Sequence, residues 1–222
     1  MDWDALYITF KLSLLTTIIL LFIGALLAYW LSRKKTLFRN LISILVNIPL
    51  VLPPTILGFY FLVLFNQNGY LGSLWYSLTG GSLNFSFSGI LIASLVYSLP
   101  FSIGPILNSF ENIPKELLVN AELLGASAFR RFYTIILPLS IRGIITSGIL
   151  VFAHTVGEFG VVLMVGGSIP NETKVLSIAI FEQVEQLNYH QANHMSIILL
   201  VFSFTILLIV QLLNNKKTNA YF

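Results

Sequence analysis

Five apolar runs, each long enough to cross a lipid bilayer, dominate this chain and restrict what it can fold into. They cover roughly residues 7–31, 42–65, 86–108, 138–165 and 194–213, and a helix needs about 20 residues to span the hydrocarbon core. Charged residues make up only 9% of the sequence, where a soluble domain carries about 25%. That is too little charge to cover an exterior in water, so the exterior is lipid. In lipid every backbone N–H and C=O needs a partner within the protein, and runs of this length meet that need as helices. The expected fold is all-α, a polytopic bundle of about five spans forming one domain over residues 1–222. No internal repeat, heptad pattern or low-complexity tail divides it.

The first run does not read as a cleaved leader, because Asp2 and Asp4 precede it instead of a basic region. Basic residues then orient the bundle. Arg33, Lys34, Lys35 and Arg39 follow span one, and Lys115, Arg130, Arg131 and Arg142 sit between or beside spans three and four. Lys216 and Lys217 follow span five, while only Lys11 and Lys174 fall on the other side. Lys and Arg concentrate in short cytoplasmic loops, which puts the N-terminus outside and the C-terminus inside. The formal charge of +3 is thereby a matter of topology and gives no reason to expect nucleic acid. The uncharged stretch 66–85 and the stretch 166–193 belong outside.

Span two is interrupted by Pro49, Pro53 and Pro54, followed by Thr55 and Gly58. Each proline removes a backbone donor and clashes with the preceding turn. The freed carbonyls need neighbouring helices, hydroxyls or a wet cavity, so the interruption suits either a static packing kink or a pathway.

The hydrophilic stretch 109–137 reads as two short helices meeting at an elbow. Asn112 is a candidate cap, with Pro114 in the first turn. Leu117, Ala121 and Leu124 share a face at helical spacing. Gly125 is suited to a left-handed helix end, Ala126 and Ala128 are small, and Ser127 is placed to cap a second helix bearing Phe129, Arg130, Arg131, Phe132 and Tyr133. Leu137-Pro138 reads as the turn into span four. An elbow of this kind fits a groove on a soluble partner and equally fits an amphipathic segment lying on the inner leaflet.

Those residues resemble the cytoplasmic signature of binding-protein-dependent ABC importer permeases, in which Glu-Ala-Ala leads to a glycine, nine further residues, and then Ile-x-Leu-Pro. Here Gly125 is followed by nine residues before Ile135, Ile136, Leu137 and Pro138, while Val119 and Asn120 replace the usual Glu and Ala and only Ala121 agrees, with Glu122 next. Two more stretches look like the molybdate branch: Pro49–Phe59, and Phe152–Gly160 continuing into Gly167–Thr173. His154 stands where Arg is usual, and Phe159 where sulfate permeases usually carry Tyr. The resemblance runs from about Leu12 to Leu213. It implies a homodimer with two cytoplasmic ATPase subunits, an oxyanion-binding protein that is periplasmic or lipid-anchored, and a place in a bacterial or archaeal cytoplasmic membrane. It also implies that Asn120, Ala121, Glu122, Gly125, Ala126, Ser127, Arg130, Arg131, Leu137 and Pro138 form the segment that docks on the ATPase.

Pro53, Pro54, Thr55, His154, Gly157, Glu158 and Gly160 are candidate pathway or gating residues. A carboxylate at a helix centre in a membrane costs about 2.5–3.5 kcal/mol on insertion scales, so Glu158 is expected to face protein or water. His154, one helical turn earlier, is its expected neighbour, either for gating or as a buried structural hydrogen bond. The glycines at 157 and 160 permit close helix approach. His190 and His194 are four apart but lack a third ligand at useful spacing, so no metal and no cofactor is expected. No Gly-x-x-x-x-Gly-Lys-Ser/Thr loop occurs, which assigns ATP hydrolysis to a partner and not to this chain. Within the resembled family the substrate implied is molybdate or tungstate, with a sulfate or thiosulfate permease as the alternative; from other classes come an ion-driven carrier with Glu158 and His154 as a proton relay, and a membrane scaffold that transports nothing.

Overall fold

The computed structural model describes residues 2–33 and 36–215. Lys34, Lys35, Lys216 and Lys217, four of the basic residues used to orient the chain, lie outside the described residues. Eleven α-helices are present among the described residues, and no strand. Four helical runs are long and apolar enough to cross a membrane: α1 (Trp3–Arg33), α5 (Phe87–Glu111), the continuous run Ala128–Val156, and α11 (Tyr189–Asn215), whose apolar run is Tyr189–Ile209. The expected second span is a bent pair, α2 (Leu37–Val51) and α3 (Pro54–Leu64), with 112° between the halves. Counted as one span, the pair makes five.

The bend has a local cause. Pro53 and Pro54 both lack an N–H, and a residue before proline is pushed out of the helical region. Leu52 is extended with ψ 136°, and Pro53 follows with ψ 137°. Pro54 then opens α3 at a position where the missing donor costs nothing. The interruption expected here is a sharp corner.

The centre is a packed trio of α1, α5 and α8 (Leu137–Val156). In the absence of a hydrophobic drive inside lipid, close approach and hydroxyl bonds hold such helices. Ser102 donates to the Leu20 carbonyl (2.8 Å), Ser147 to the Ser102 carbonyl (2.9 Å), and the Ser98 and Thr155 hydroxyls meet at 3.1 Å. Gly24 sits where a Cβ would fall 2.1 Å from Ser102 Oγ, and at Gly143 it would fall 1.8 Å from Ser109 Oγ. One apolar cluster joins Ile8 and Leu12 to Ile90, Ala93 and Val161; a second joins Ala28 and Leu31 to Ile103, Ile106 and Phe110. α1 and α5 therefore run parallel, and α8 returns against them.

Several boundaries differ from expectation. α5 extends to Glu111, and the N–H of Asn112 closes it on Asn108 O; Asn112 caps the end of α5, not the start of the next helix. Leu137-Pro138 is no turn. The chain passes from α7 (Ala128–Arg131) through a π-helical segment, Phe132–Ile136, straight into α8. There the Leu137 N–H reaches back five residues to Phe132 O, a register shift of the kind that lets a helix absorb a proline. Span four ends early, at Val156; after a non-helical link comes α9 (Gly160–Gly166). The stretches 66–85 and 166–193 each hold a short helix, α4 (Tyr70–Thr79) and α10 (Leu176–Glu185).

Candidate functional site

The elbow between α5 and α8 is built as its residue types require. α6 (Lys115–Leu123) ends in a double closure, Ala126 N–H to Ala121 O and Gly125 N–H to Glu122 O (both 2.9 Å). That pattern needs a left-handed residue just past the helix, and Gly125 supplies it with φ +82°. Ser127 then accepts the Arg130 N–H at 3.3 Å and starts α7. Arg131 pairs with Glu122 and also reaches Leu118 O at 3.4 Å, bracing one arm of the elbow on the other.

Leu118 packs on the core while Leu117 and Leu124 stay exposed. Leu123 (80% exposed), Leu124 (88%) and Phe129 (72%) form an apolar tip clear of the bundle. Asn120, Ser127, Arg130 and Pro138 are also exposed, and Ala121, Ala126 and Leu137 half-buried.

The pathway candidates gather where the two broken helices meet. Gly160, the first residue of α9, packs on Pro54, the first of α3: a Cβ there would fall 2.8 Å from Pro54 Cβ. Gly58 meets Met164 in the same way, at 2.5 Å. Pro53 and Thr55 are exposed at the corner. Glu158 lies in the link between α8 and α9. Its carbonyl accepts from Ser177 of α10 (2.6 Å); its carboxylate is 4% exposed, and neither oxygen has a hydrogen-bond partner among the described residues.

His154 is not beside it. The imidazole Nδ1 meets Ser98 Oγ at 2.9 Å, and the ring stacks on Phe101 (4.1 Å between centroids) and lies 4.8 Å from Tyr97. The expected His154–Glu158 pair assumes an unbroken helix from 154 to 158, and Gly157 ends that helix. Gly157 is exposed and presses on nothing closely. His190 and His194 do share a face, their rings 4.5 Å apart.

The outer end carries a cluster that the sequence reading passed over. Lys174 bridges Glu182 Oε2 (2.7 Å) and Asp2 Oδ2 (3.2 Å), and Ser168 donates to the other Glu182 oxygen. Nearby, Thr9 accepts the Leu176 N–H at 2.7 Å, fastening α10 to α1. Burial alone would push both carboxyls up. At Asp2 the Ala5 N–H and then Lys174 outweigh it, and at Glu182 Lys174 and then Ser168 do, so both are held below the usual carboxylate range. Glu182, and then Asp2, in turn hold the Lys174 ammonium above its usual value, against its own desolvation. The available signal was Lys174 itself, a rare lysine on the outer side.

Comparison with known proteins gives the following. Residues 15–218 match the family described as "Binding-protein-dependent transport system inner membrane component". The chain is 45% identical over 206 residues to the molybdenum transport system permease protein ModB of Azotobacter vinelandii, covering 93% of this chain and 91% of that one. It is 32% identical over 217 residues to a probable sulfate transport system permease protein cysT of Zygnema circumcarinatum, covering 96% and 74%. Among solved structures, a bacterial alginate ABC transporter in complex with its pentasaccharide-bound periplasmic protein superimposes with TM-score 0.74 at 17% identity, over 97% of this chain and 79% of that one. That likeness speaks to the fold alone.

Proposed function

The chain belongs to the family of binding-protein-dependent transport system inner membrane components, and on that premise we propose that it is the permease subunit of an ATP-driven importer for molybdate or tungstate. The observation that carries this is the 45% identity to a molybdenum permease across 93% of the chain. Its setting is the cytoplasmic membrane of a bacterium or archaeon. The phosphate-binding loop is missing from the 222 residues, and the reading assigns ATP hydrolysis to a separate cytoplasmic subunit.

Five spans are few to enclose a polar pathway, and two-fold dimers are the commonest closed assemblies. The working unit is therefore a homodimer, with two ATPase subunits inside and an oxyanion-binding protein outside. Each elbow docks on one ATPase subunit. The exposed tip of Leu123, Leu124 and Phe129 supports this, since such apolar anchors carry most of the energy in a protein interface. Asn120, Ala121, Glu122, Gly125, Ala126, Ser127, Arg130 and Arg131 shape that contact, and Leu137-Pro138 carries its movement into α8.

Pro53, Pro54, Thr55 and Gly160 form the corner that moves with gating. An exposed carboxylate would repel a dianion. Burial of Glu158 therefore suits a role in holding the link beyond Gly157, while His154 fixes α8 to α5. Substrate choice rests with the binding protein.

The test is uptake of radiolabelled molybdate in a strain lacking its own permease, supplied with this chain, its ATPase and its binding protein. Uptake should be restored, and lost when residues 119–131 are replaced. Uptake that survives ATP depletion but not collapse of the proton gradient would instead establish an ion-driven carrier. A sulfate permease is the second reading, favoured by the 32% identity over 96% of this chain. Excess unlabelled sulfate should leave molybdate uptake unchanged; suppression by equimolar sulfate would decide for that alternative.

A further inference from the structure

A cavity of about 720 Å³ opens between the inner ends of α1 and α5 and the two arms of the elbow. Its rim carries Arg33, the last residue of α1, together with Lys115 and Arg131 against the single acid Glu111. Glu111 is taken up by Arg39, and Arg131 by Glu122. Arg33 bonds only the Tyr29 hydroxyl, and neither Arg33 nor Lys115 has an acidic partner among the described residues. Deeper in, the wall is apolar: Tyr29, Phe110, Leu118 and Ile136, all part of the inner hydrophobic cluster or packed on it. Cations at the mouth and carbon within describe an amphipathic anion.

Position narrows the ligand. α1 and α5 are membrane spans that both end at this cavity, on the side that the charge bias makes cytoplasmic, so the rim stands at the level of the inner-leaflet headgroups. A water occupies about 30 Å³ of liquid, and small-molecule pockets run from about 300 to 1,000 Å³. A lone inorganic anion would leave the apolar wall wet. Basic pockets between spans on the cytoplasmic side are suited to anionic headgroups.

We propose that this cavity binds an anionic phospholipid of the inner leaflet, its phosphodiester between Arg33 and Lys115 and its glycerol and upper acyl carbons along Tyr29, Phe110 and Leu118. The floor of the cavity is α6 and α7, so the lipid props the elbow from behind and sets how firmly an ATPase can push on it. The second part of this inference rests on the elbow being the ATPase contact; the binding itself does not.

The experiment uses the intact complex of permease and ATPase, purified from membranes containing phosphatidylglycerol. Native mass spectrometry should find phosphatidylglycerol retained on the wild type. Retention should be at least tenfold lower in R33Q/K115Q, unchanged in the outer-face control Lys11→Gln, and restored by Arg33→Lys with Lys115 left intact. In vesicles, phosphatidylglycerol should raise ATPase activity over phosphatidylcholine alone for wild type but not for R33Q/K115Q. Assembly of the double variant with the ATPase at wild-type yield shows that it is folded. Equal lipid retention by wild type and double variant overturns the proposal. So does displacement of the lipid by millimolar inorganic phosphate or molybdate, which would make this a site for free oxyanions. Capture of the ATPase subunit instead of lipid by a photoreactive probe on Leu118→Cys overturns it as well. Failure of the complex to form at all would refute the functional reading and leave the lipid count on the permease alone as the measure of this one.

Discussion

The two ends of the bundle are finished in opposite ways. At the outer end, residues far apart in sequence are bound together: Lys174 joins Asp2 to Glu182, Thr9 accepts from Leu176, and Ser177 reaches Glu158. At the inner end, the elbow is braced mainly against itself, through Arg131–Glu122, and leaves Leu123, Leu124 and Phe129 in the open. An end tied together across distant segments in this way is a fixed end. One that leaves large apolar side chains exposed outside the membrane is unfinished without a partner. The difference fits the proposed division, in which one face supplies stability and the other docks a partner.

Four substitutions test that division, from the largest effect down. Leu124→Asp with Phe129→Asp should reduce ATPase-subunit binding at least tenfold, since central apolar anchors contribute about 2 kcal/mol or more each. The melting temperature of the isolated chain should barely move. A stability loss comparable to the binding loss would mean that the tip is core and not interface. Binding is read by co-purification and stability by a thermal scan in detergent.

Lys174→Met should show the reverse pattern. It strands two half-buried carboxylates, at a cost of roughly 1–2 kcal/mol, or about 2–8 °C in a chain of this size. ATPase docking should be untouched. The same network predicts a pH signature. Asp2 and Glu182 are depressed carboxyls, so their contribution is present above the usual carboxylate values of 3.8 and 4.5 and is lost as pH falls through their lower folded values. Lys174 is raised, so its contribution is complete below 10.5 and is lost as pH rises through its higher folded value. Thermal scans across pH should show the clasp at full strength between about 5 and 10. They should also show an acid-side loss that is smaller in Lys174→Met, where only the Ala5 N–H and Ser168 still favour the carboxylates.

The smallest effect is expected at Gly125→Ala. The left-handed turn costs a residue with a Cβ roughly 1–2 kcal/mol. No atom stands near the added methyl, so the elbow should loosen without clashing. Coupled ATPase stimulation should fall several-fold while binding persists. Unchanged coupling would remove Gly125 from the transmission path.

The sequence made the membrane spans legible because hydropathy reports lipid contact directly. It also made the elbow legible, because Gly125 and Ser127 act through bonds to residues three or four positions away. What it hid depends on distant neighbours. Gly157 inside an apolar run looks like a packing glycine, and only the fit of Gly160 onto Pro54 explains why the helix stops there. With that break unseen, His154 and Glu158 look like a pair. Whether Leu117 or Leu118 turns inward depends on where α6 leans, which its own pattern does not say. The Lys174 bridge joins positions 2, 174 and 182, beyond the reach of any local rule.

The corner at Pro54 and the break before Gly160 have one more consequence. At each the helical ladder lapses, after a last bond from Leu52 N–H to Ile48 O and from Gly157 N–H to Ala153 O, and the two half-helices that follow pack on each other. A swivel of the pair, like a crank between bearings, by torsion at Leu52–Pro53 and Gly157–Phe159 parts no backbone bond inside α1, α5 or α8. Motion of that kind exposes no new peptide groups to oil, which is the penalty a moving part in a membrane has most reason to avoid.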